Sequence, residues 1–307
     1  MKHKLISAKV IADSVCPKGV RMTTMEIEYP RFILAELNTH RMLSKNSASS
    51  RAIPVKAMHE FIRANPATPV SWGKNQPGMK ADEQVGSIVA EEAEQLWNKA
   101  KEDALHWADA LAHKLAIHKQ IANRITEPWM TMKTVISGTE WTNFFHLRNH
   151  ADAQPEIKAL AEAMTVAYTT HLPVALKPGE WHLPYITTAT YVPTGELQYF
   201  DENFNRLSLE DAKIISASCC AQVSYRKNDP TFEKAFRIWE QLIENDPVHA
   251  SPIEHQATPM DIDSMCRFEP DTWQPGVSHV SANSDLWSGN LRGWIQHRKL
   301  IQNEAVW

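Results

Sequence analysis

Two stretches of the chain carry residue types that grip phosphates and polarise carbonyls, in nearly the same order. The first runs Asn38-Thr39-His40-Arg41-Met42-Leu43-Ser44-Lys45-Asn46-Ser47-Ala48-Ser49-Ser50-Arg51. The second, Ile295-Gln296-His297-Arg298-Lys299-Leu300-Ile301-Gln302-Asn303-Glu304, nearly closes the sequence. Each sets His-Arg ahead of an Asn that follows five residues after the Arg. A guanidinium is a planar fork of donors suited to a phosphate or to the edge of a uracil-like ring, and Ser and Asn add short neutral donors. The plain alternative for either copy alone is a solvated polar helix end.

The elements that must position these residues belong to a chain of 307 residues. At about 150 residues per domain that allows two domains or one large one. Apolar residues at 43% and charged residues at 22% exclude collagen-like and disordered classes. Thirty-two basic against 36 acidic side chains leave a formal charge of −4, which excludes a general nucleic-acid coat but leaves room for a local basic pocket. No apolar run approaches the ~18 residues of a membrane helix, and the first residues lack the apolar region of a secretory signal, so a cytoplasmic enzyme without membrane or nucleic-acid partners is expected. Cys16, Cys219, Cys220 and Cys266 lack CxxC spacing, and His249 and His255 have no third ligand at a recognisable spacing, so no disulfide framework and no metal are expected. No GxGxxG loop is present among the ten glycines.

Residues 4–12 and 21–28 read as strands from their Ile, Val and Thr content. Pro30 opens a helix expected over 31–43, which ends in the polar stretch 44–51. Residues 65–86 form a long Pro- and Gly-rich loop in which Trp72 is a candidate ligand cover. Helices are expected over 82–113, with Trp97 and Trp107 in the core, and over 117–124, 139–148 and 155–170, with an apolar segment at 130–136. A linker at 187–207 separates these from a helix at 208–216 capped by Ser208 or its neighbour. An extended or strand-like stretch at 219–225, an amphipathic helix at 232–244 and a last helix from Leu286 to the C-terminus follow.

His40-Arg41, seven residues, Ser49, one residue and Arg51 resemble the signature RHR-x7-S-x-R of the flavin-dependent thymidylate synthases (ThyX). Asn143-Phe144-Phe145-His146-Leu147-Arg148, followed by Asp152-Ala153-Gln154-Pro155-Glu156-Ile157, is similar to that family's N-F-x-x-L-R … H-A-Q-x-E-I segment. Lys119–Arg124 with Pro128 is similar to its K-E-x-A-R-x-x-x-P helix end. A third match is out of order: Gln222-Val223-Ser224-Tyr225 and His249-Ala250-Ser251-Pro252-Ile253-Glu254-His255 resemble A-R-V-S-Y and H-x-S/T-P-F-E-H, which the family carries at its N-terminus. The chain therefore resembles a permuted relative with the motif unit at each end. The resemblance implies an α+β fold, an antiparallel or mixed sheet flanked by long helices. Residues 1–186 would form the core segment, 187–207 the linker, and 208–307 a second segment packed into the same unit.

The same resemblance implies roles. Ser49, Arg51, Arg124, Arg148 and Glu304 would bind dUMP, with Arg148 at the uracil and Ser49 beside it in the catalytic set. A guanidinium at a pyrimidine carbonyl stabilises the enolate-like charge that develops when C5 attacks an electrophile. The alternative is that Arg148 pairs with Asp152, one turn on. Ser49 reads as a donor to phosphate or ribose, since no base adjoins it to make it a nucleophile. His40, Arg41, Asn46, Asn143, Leu147, Ser224, Ser251, His297, Arg298 and Asn303 would hold FAD, although Ser251-Pro252 also reads as an ordinary helix start. Methylenetetrahydrofolate and NADPH would be co-substrates, and a homo-oligomer, dimer or tetramer, would share its sites. Several positions depart from the pattern. Thr39 and Gln296 replace the first Arg of the motif, the first copy lacks the Glu after Asn46, and the second ends before any Ser-x-Arg. Ser137, Thr139 and Asp152 stand where the family has Asn, Arg and His. Complementary losses suggest that the first copy serves the nucleotide and the second the flavin. The weakened flavin contacts keep a dUMP hydroxymethylase open as an alternative, and a non-catalytic nucleotide-binding protein is a third. Cys219 and Cys220 are expected to be buried and inert.

Overall fold

The structure is a computed structural model that describes residues 5–226 and 228–305; the expected strand start at residue 4 and the last helix's end at 306–307 lie outside the described residues. Strand β1 (Ser7–Val15) and strand β2 (Arg21–Pro30) pair antiparallel from Ser7↔Glu28 to Val15↔Arg21. On β2, Met22, Met25, Ile27 and Tyr29 are fully buried, as β-branched and large apolar residues on an inner strand favour. Pro30 is the last residue of the strand, and the chain passes through a 3-10 turn into the short helix α1 (Leu34–Asn38).

The helix expected over 31–43 stops at residue 38. Thr39 Oγ1 donates to the Glu36 carbonyl at 2.7 Å, offering the backbone an alternative to another helical turn. Residues 39–43 form a turn and Ser44–Ser47 becomes strand β3. Helices α2 (Val55–Ala64), α3 (Ser87–Asp109) and α4 (Lys119–Ala122) lead to strand β4 (Thr131–Gly138), which lies between β2 and β3. Helices α5 (Thr142–Arg148) and α6 (Pro155–Thr170) follow, and β5 (Val174–Ala175) closes the sheet parallel to β1. The order β3-β4-β2-β1-β5 is thus a mixed, mostly antiparallel sheet, and α6 packs on β1 and β2. This is the expected α+β class. Ile33, Leu37, Met132, Ile136, Phe144 and Leu160 meet Met25 and Tyr29 in its main core. Burial of each such side chain contributes about 1.5–3 kcal/mol.

Several further expectations are corrected. Residues 187–207 are not a linker: β6 (Thr187–Tyr191), β7 (Glu196–Phe200) and β8 (Arg206–Leu207) form an antiparallel sheet whose Tyr199 is buried against a core with Trp181 and Ile215. Helix α7 (Leu209–Gln222) begins as expected at Ser208, whose Oγ accepts from Asp211 N at 3.1 Å, but it runs on through Cys219 and Cys220 because burial covers nearly every one of its faces. The amphipathic stretch after it is α8 (Phe232–Trp239) with one wider turn to Glu244. After the short strands β9 (Ala257–Pro259) and β10 (His279–Val280), the helix expected from Leu286 is instead β11 (Leu286–Ser288), β12 (Leu291–Arg292) and β13 (Trp294–Gln296), followed by one 3-10 turn over His297–Leu300. Gly289 and Gly293, at φ +58 and +71, turn the chain between β11, β12 and β13 where a helix would need negative φ. Trp107, expected inside, is 60% exposed, whereas Trp97 packs on Trp129 and Trp72. Trp72 is therefore occupied as a packing partner. Among the described residues, no helix is long and apolar enough to cross a membrane. The two ends of the chain share one cluster, in which Cys16 and Met22 pack on Leu291 and Trp294.

Candidate active site

The turn that ends α1 is the centre of the site. Lys45, on β3, reaches back and its Nζ donates to the carbonyls of His40 at 2.6 Å and Leu43 at 3.0 Å. Gly138 at the end of β4 lets the turn close on the sheet, since a Cβ there would sit 2.5 Å from Leu43 Cδ2. From α5, Arg148 Nε donates to His40 Nε2 at 2.8 Å and Arg148 Nη2 to Thr39 Oγ1 at 3.2 Å. A guanidinium only donates, so the proton of the His40 ring is on Nδ1. Burial, with help from Arg148 and Lys45, holds His40 down to about 4, so it is neutral at physiological pH. Burial also brings Lys45 down to about 8 against the opposing pull of Glu254. The alternative partner of Arg148 is taken elsewhere: Asp152 pairs with Lys80 at 2.6 Å.

The second motif copy follows β13, which pairs antiparallel with β9 from Trp294↔Pro259 to Gln296↔Ala257. Arg298 is clamped between Glu254 and Glu304, and Lys299 Nζ donates to Glu304 at 2.5 Å. Although burial opposes its ionisation, Glu304 is held below the usual carboxylate range by Lys299 and Arg298. Arg41 and Lys45 of the first copy and Gln296, Arg298 and Lys299 of the second line one cavity of about 470 Å³, with Glu254 and Asn290 also on its wall. A second cavity of about 550 Å³ adjoins it, sharing Arg41 and Leu43; Thr39, His40, Asn143 and Phe144 complete much of its wall. Cationic donors on one side and an aromatic, more apolar wall on the other suit a phosphorylated ligand with a flat ring.

A third group of cations lies beyond the other end of β3. Ser49 N donates to the Ser224 carbonyl at 3.2 Å, and Ser49 Oγ accepts from Arg51 N at 3.3 Å, which shapes the loop. Asn123 Nδ2 donates to the carbonyls of Ser50 and Ile53 at 2.8 and 2.9 Å, and Lys119 Nζ to that of Ala52 at 3.0 Å. Glu127 accepts from Arg124 at 2.8 Å, pairs with Arg31 at 2.9 Å, and receives the Ser50 hydroxyl at 3.0 Å. Arg51 is exposed and makes no ion pair among the described residues. Several cations around one carboxylate leave a net positive loop, which is the chemistry of an anion site.

The sequence model of the Thy1 family, the thymidylate synthase complementing proteins, matches residues 20–174. The chain belongs to this family. The match takes in the first motif copy, β4 and α5, and stops before the second copy. Solved structures similar to this Thy1-family chain include the UMP/dUMP methylase PolB from Streptomyces cacaoi, bound with 5-Br UMP. It is 16% identical, with a TM-score of 0.45 over 53% of this chain and 88% of that one. Thymidylate Synthase X from Helicobacter pylori, with FAD and dUMP, is 20% identical, with a TM-score of 0.34 over 48% of this chain and 67% of the other. No curated protein sequence matches the chain.

Of the residues singled out in this Thy1-family sequence, His40, Arg41, Asn143, Arg148, Arg298 and Glu304 meet at or against the two adjoining cavities. Ser49, Arg51 and Arg124 gather in the third group, with Ser224 beneath them through its carbonyl. Asn46 and Ser251 bond each other, Ser251 Oγ donating to Asn46 Oδ1 at 2.6 Å. Asn303 is exposed at φ +60, and Leu147 is exposed on α5. His297 is in the core, edge-on to Trp181 and stacked near Trp239, with Nδ1 2.6 Å from Gln256 Oε1. Burial, with Lys213 near by, pushes it down to about 3. The departures from the family pattern are likewise engaged internally. Ser137 bonds Thr24 at 2.6 Å and His255 at 2.8 Å in a buried row that continues to His182, and Thr139 Oγ1 accepts from Arg292 N at 3.2 Å. Burial lifts the Cys219 thiol to about 12 and Cys220 well above its ordinary value, so neither supplies a thiolate. Lys45, Glu254 and Asn290 were missed as site residues. Lys45 and Glu254 stood inside quoted motifs, and only the fold shows that they face one cavity.

Proposed function

We propose that this Thy1-family protein transfers a one-carbon unit from methylenetetrahydrofolate to C5 of dUMP, in the reductive form that yields dTMP. The observation that carries the reading is the Arg148–His40 pair at the turn between the two adjoining cavities. A neutral imidazole takes one face of the guanidinium and leaves its remaining donors for a pyrimidine carbonyl. There they stabilise negative charge on the ring as C5 attacks. Arg51, Arg124 and Ser49 would hold the 5′-phosphate. Arg298 and Arg41, with Gln296 and Asn290 as neutral donors, fit the phosphates of FAD, and Asn143 would stand at its ring. The bound flavin, reduced by NADPH, would supply the hydride that completes the methyl group. The chain's own residues bind, orient and polarise.

Hydroxymethylation of dUMP is the second reading, and it has a specific observation in its favour. His297, Ser137 and Thr139 are committed to contacts inside the fold, so the flavin would be held by fewer side chains than the family pattern supplies. The purified protein is tested for flavin absorbance, then incubated with dUMP, methylenetetrahydrofolate and NADPH, and the nucleotide is weighed by mass spectrometry. A yellow protein forming dTMP supports the first reading. A colourless one forming hydroxymethyl-dUMP replaces it with the second, and unchanged dUMP with either colour sinks both.

A further inference from the structure

Glu140 is the one carboxylate, among the described residues, on the wall of the cavity of about 550 Å³ that adjoins the Arg148–His40 pair. Two parts of the chain hold it there. Strand β4 ends at Gly138, and β12 of the C-terminal segment docks on the residues that follow: Arg292 N donates to Thr139 Oγ1 at 3.2 Å, and Arg292 Nε to Glu140 Oε1 at 2.7 Å. That contact takes one carboxylate oxygen and leaves Oε2 without a protein donor among the described residues, on a side chain 34% exposed. Other groups on the wall can switch roles: Thr142 and Asn143 each donate or accept, and His146 does either according to tautomer. Glu140 can only accept. Arg148 can only donate, and it stands against the same wall through its bonds to His40 Nε2 and Thr39 Oγ1. An acceptor-only and a donor-only group at one cavity match the edge of uracil, where N3–H lies between two carbonyls.

We propose that Glu140 determines the choice of pyrimidine, its Oε2 accepting the N3–H of uracil while Arg148 donates to a neighbouring carbonyl, a role that rests on the dUMP reading. Cytosine carries no hydrogen on N3. Whichever carbonyl position Arg148 takes, cytosine therefore sets its N3 lone pair against the carboxylate, and a site built around a hydrogen bond rejects the base that cannot make it. The negative charge of Glu140 also disfavours a phosphate in this cavity, which leaves it to the ring. Arg292 fixes what an amide would do at the same place. In Glu140→Gln the Arg292 Nε–H still needs the side-chain oxygen, so the amide NH2 turns to the cavity and donates where the carboxylate accepted. That arrangement suits N3 of cytosine and opposes the N3–H of uracil.

Isothermal titration calorimetry of the full chain with dUMP, dCMP and dUMP methylated at N3 tests the role. The native protein is expected to bind dUMP about tenfold or more tighter than either analogue, the usual worth of a hydrogen bond to a charged group. Glu140→Gln is expected to move the ratio of dUMP to dCMP affinity toward dCMP by about tenfold or more, a change of preference that a merely structural side chain would not produce. Native binding of either analogue within about tenfold of dUMP, or a ratio that moves by less than about tenfold in Glu140→Gln, overturns the assignment. A native protein that binds none of the three nucleotides overturns the dUMP reading itself, and this role with it. The analogue comparison uses native protein, so it decides even where the variant does not fold.

Discussion

The two motif copies hold the same dipeptide in opposite circumstances. His40 sits at a turn, half-buried, with its ring taking a hydrogen bond from Arg148, and Arg41 beside it is exposed on the walls of two cavities. His297 is buried between tryptophans and Arg298 is clamped by two carboxylates. One copy thus leaves its arginine open on the cavity walls, and the other spends most of its charged groups on the fold. The difference arises from what precedes each: a short helix stopped by Thr39 in the first case, and the buried strand β13 in the second.

The largest expected effect that separates the copies is on activity. Arg148→Ala is expected to lower tritium release from dUMP by about 10²–10³-fold, the usual loss of a donor that stabilises developing charge, while the melting temperature stays within a few degrees. A variant with wild-type turnover would remove Arg148, and the copy it supports, from the uracil. Next is stability. His297→Ala deletes a buried ring and leaves Gln256 Oε1 unpartnered, and should cost about 3 kcal/mol in a urea melt, whereas His40→Ala should cost under about 1 kcal/mol. Equal losses would erase the distinction between the two copies.

The third contrast is in pH dependence. His297 and His40 have folded-state values of about 3 and about 4, both below the ~6.5 of an unfolded imidazole. Their contribution is therefore fully present above pH 6.5 and is lost as pH falls through the window from 6.5 to about 3 or 4. Each can steepen the stability curve by up to about 1.4 kcal/mol per pH unit there. His182 and His255, buried at about 4 and about 3, act in the same direction. Replacing His297 by Gln should flatten the acid limb of equilibrium unfolding more than replacing His40 does, because His297 is more buried and its curve extends to lower pH. The smallest contrast is between the arginines. Loss of the part-exposed Arg298 pairs with Glu254 and Glu304 is expected to cost about 1 kcal/mol, and Arg41→Ala under about 0.5 kcal/mol, both by chemical denaturation.

Much of the fold was legible where its signals are local. Strands β1, β2 and β4 show as β-branched or apolar runs, α6 opens on Pro155 and Ser208 caps α7, each feature recorded in a few adjacent residues. The region after Leu286 was misread for the opposite reason. Strands of two or three residues, β11 to β13, carry no measurable period, and what makes them strands is pairing with each other and with β9. The same holds for 187–207, where polar and turn-forming residues resemble a connection until Tyr199 is seen filling a core with Trp181.

The site divides along the same line. Residue type and spacing brought out both His-Arg copies, and the resemblance to the thymidylate synthases pointed to Arg148 and the Ser49–Arg51 loop as candidates, because a phosphate or a carbonyl needs such donors wherever they are placed. Which imidazole lies at a cavity and which is packing, which arginine is open and which is clamped, and why burial lowers the amine of a lysine inside the motif all depend on the packed chain and on partners remote in sequence. Glu254 lies more than 200 residues from Lys45, yet the two face one cavity. Desolvation and long-range pairing are properties of the packed chain, and they leave no trace in the order of neighbouring residues.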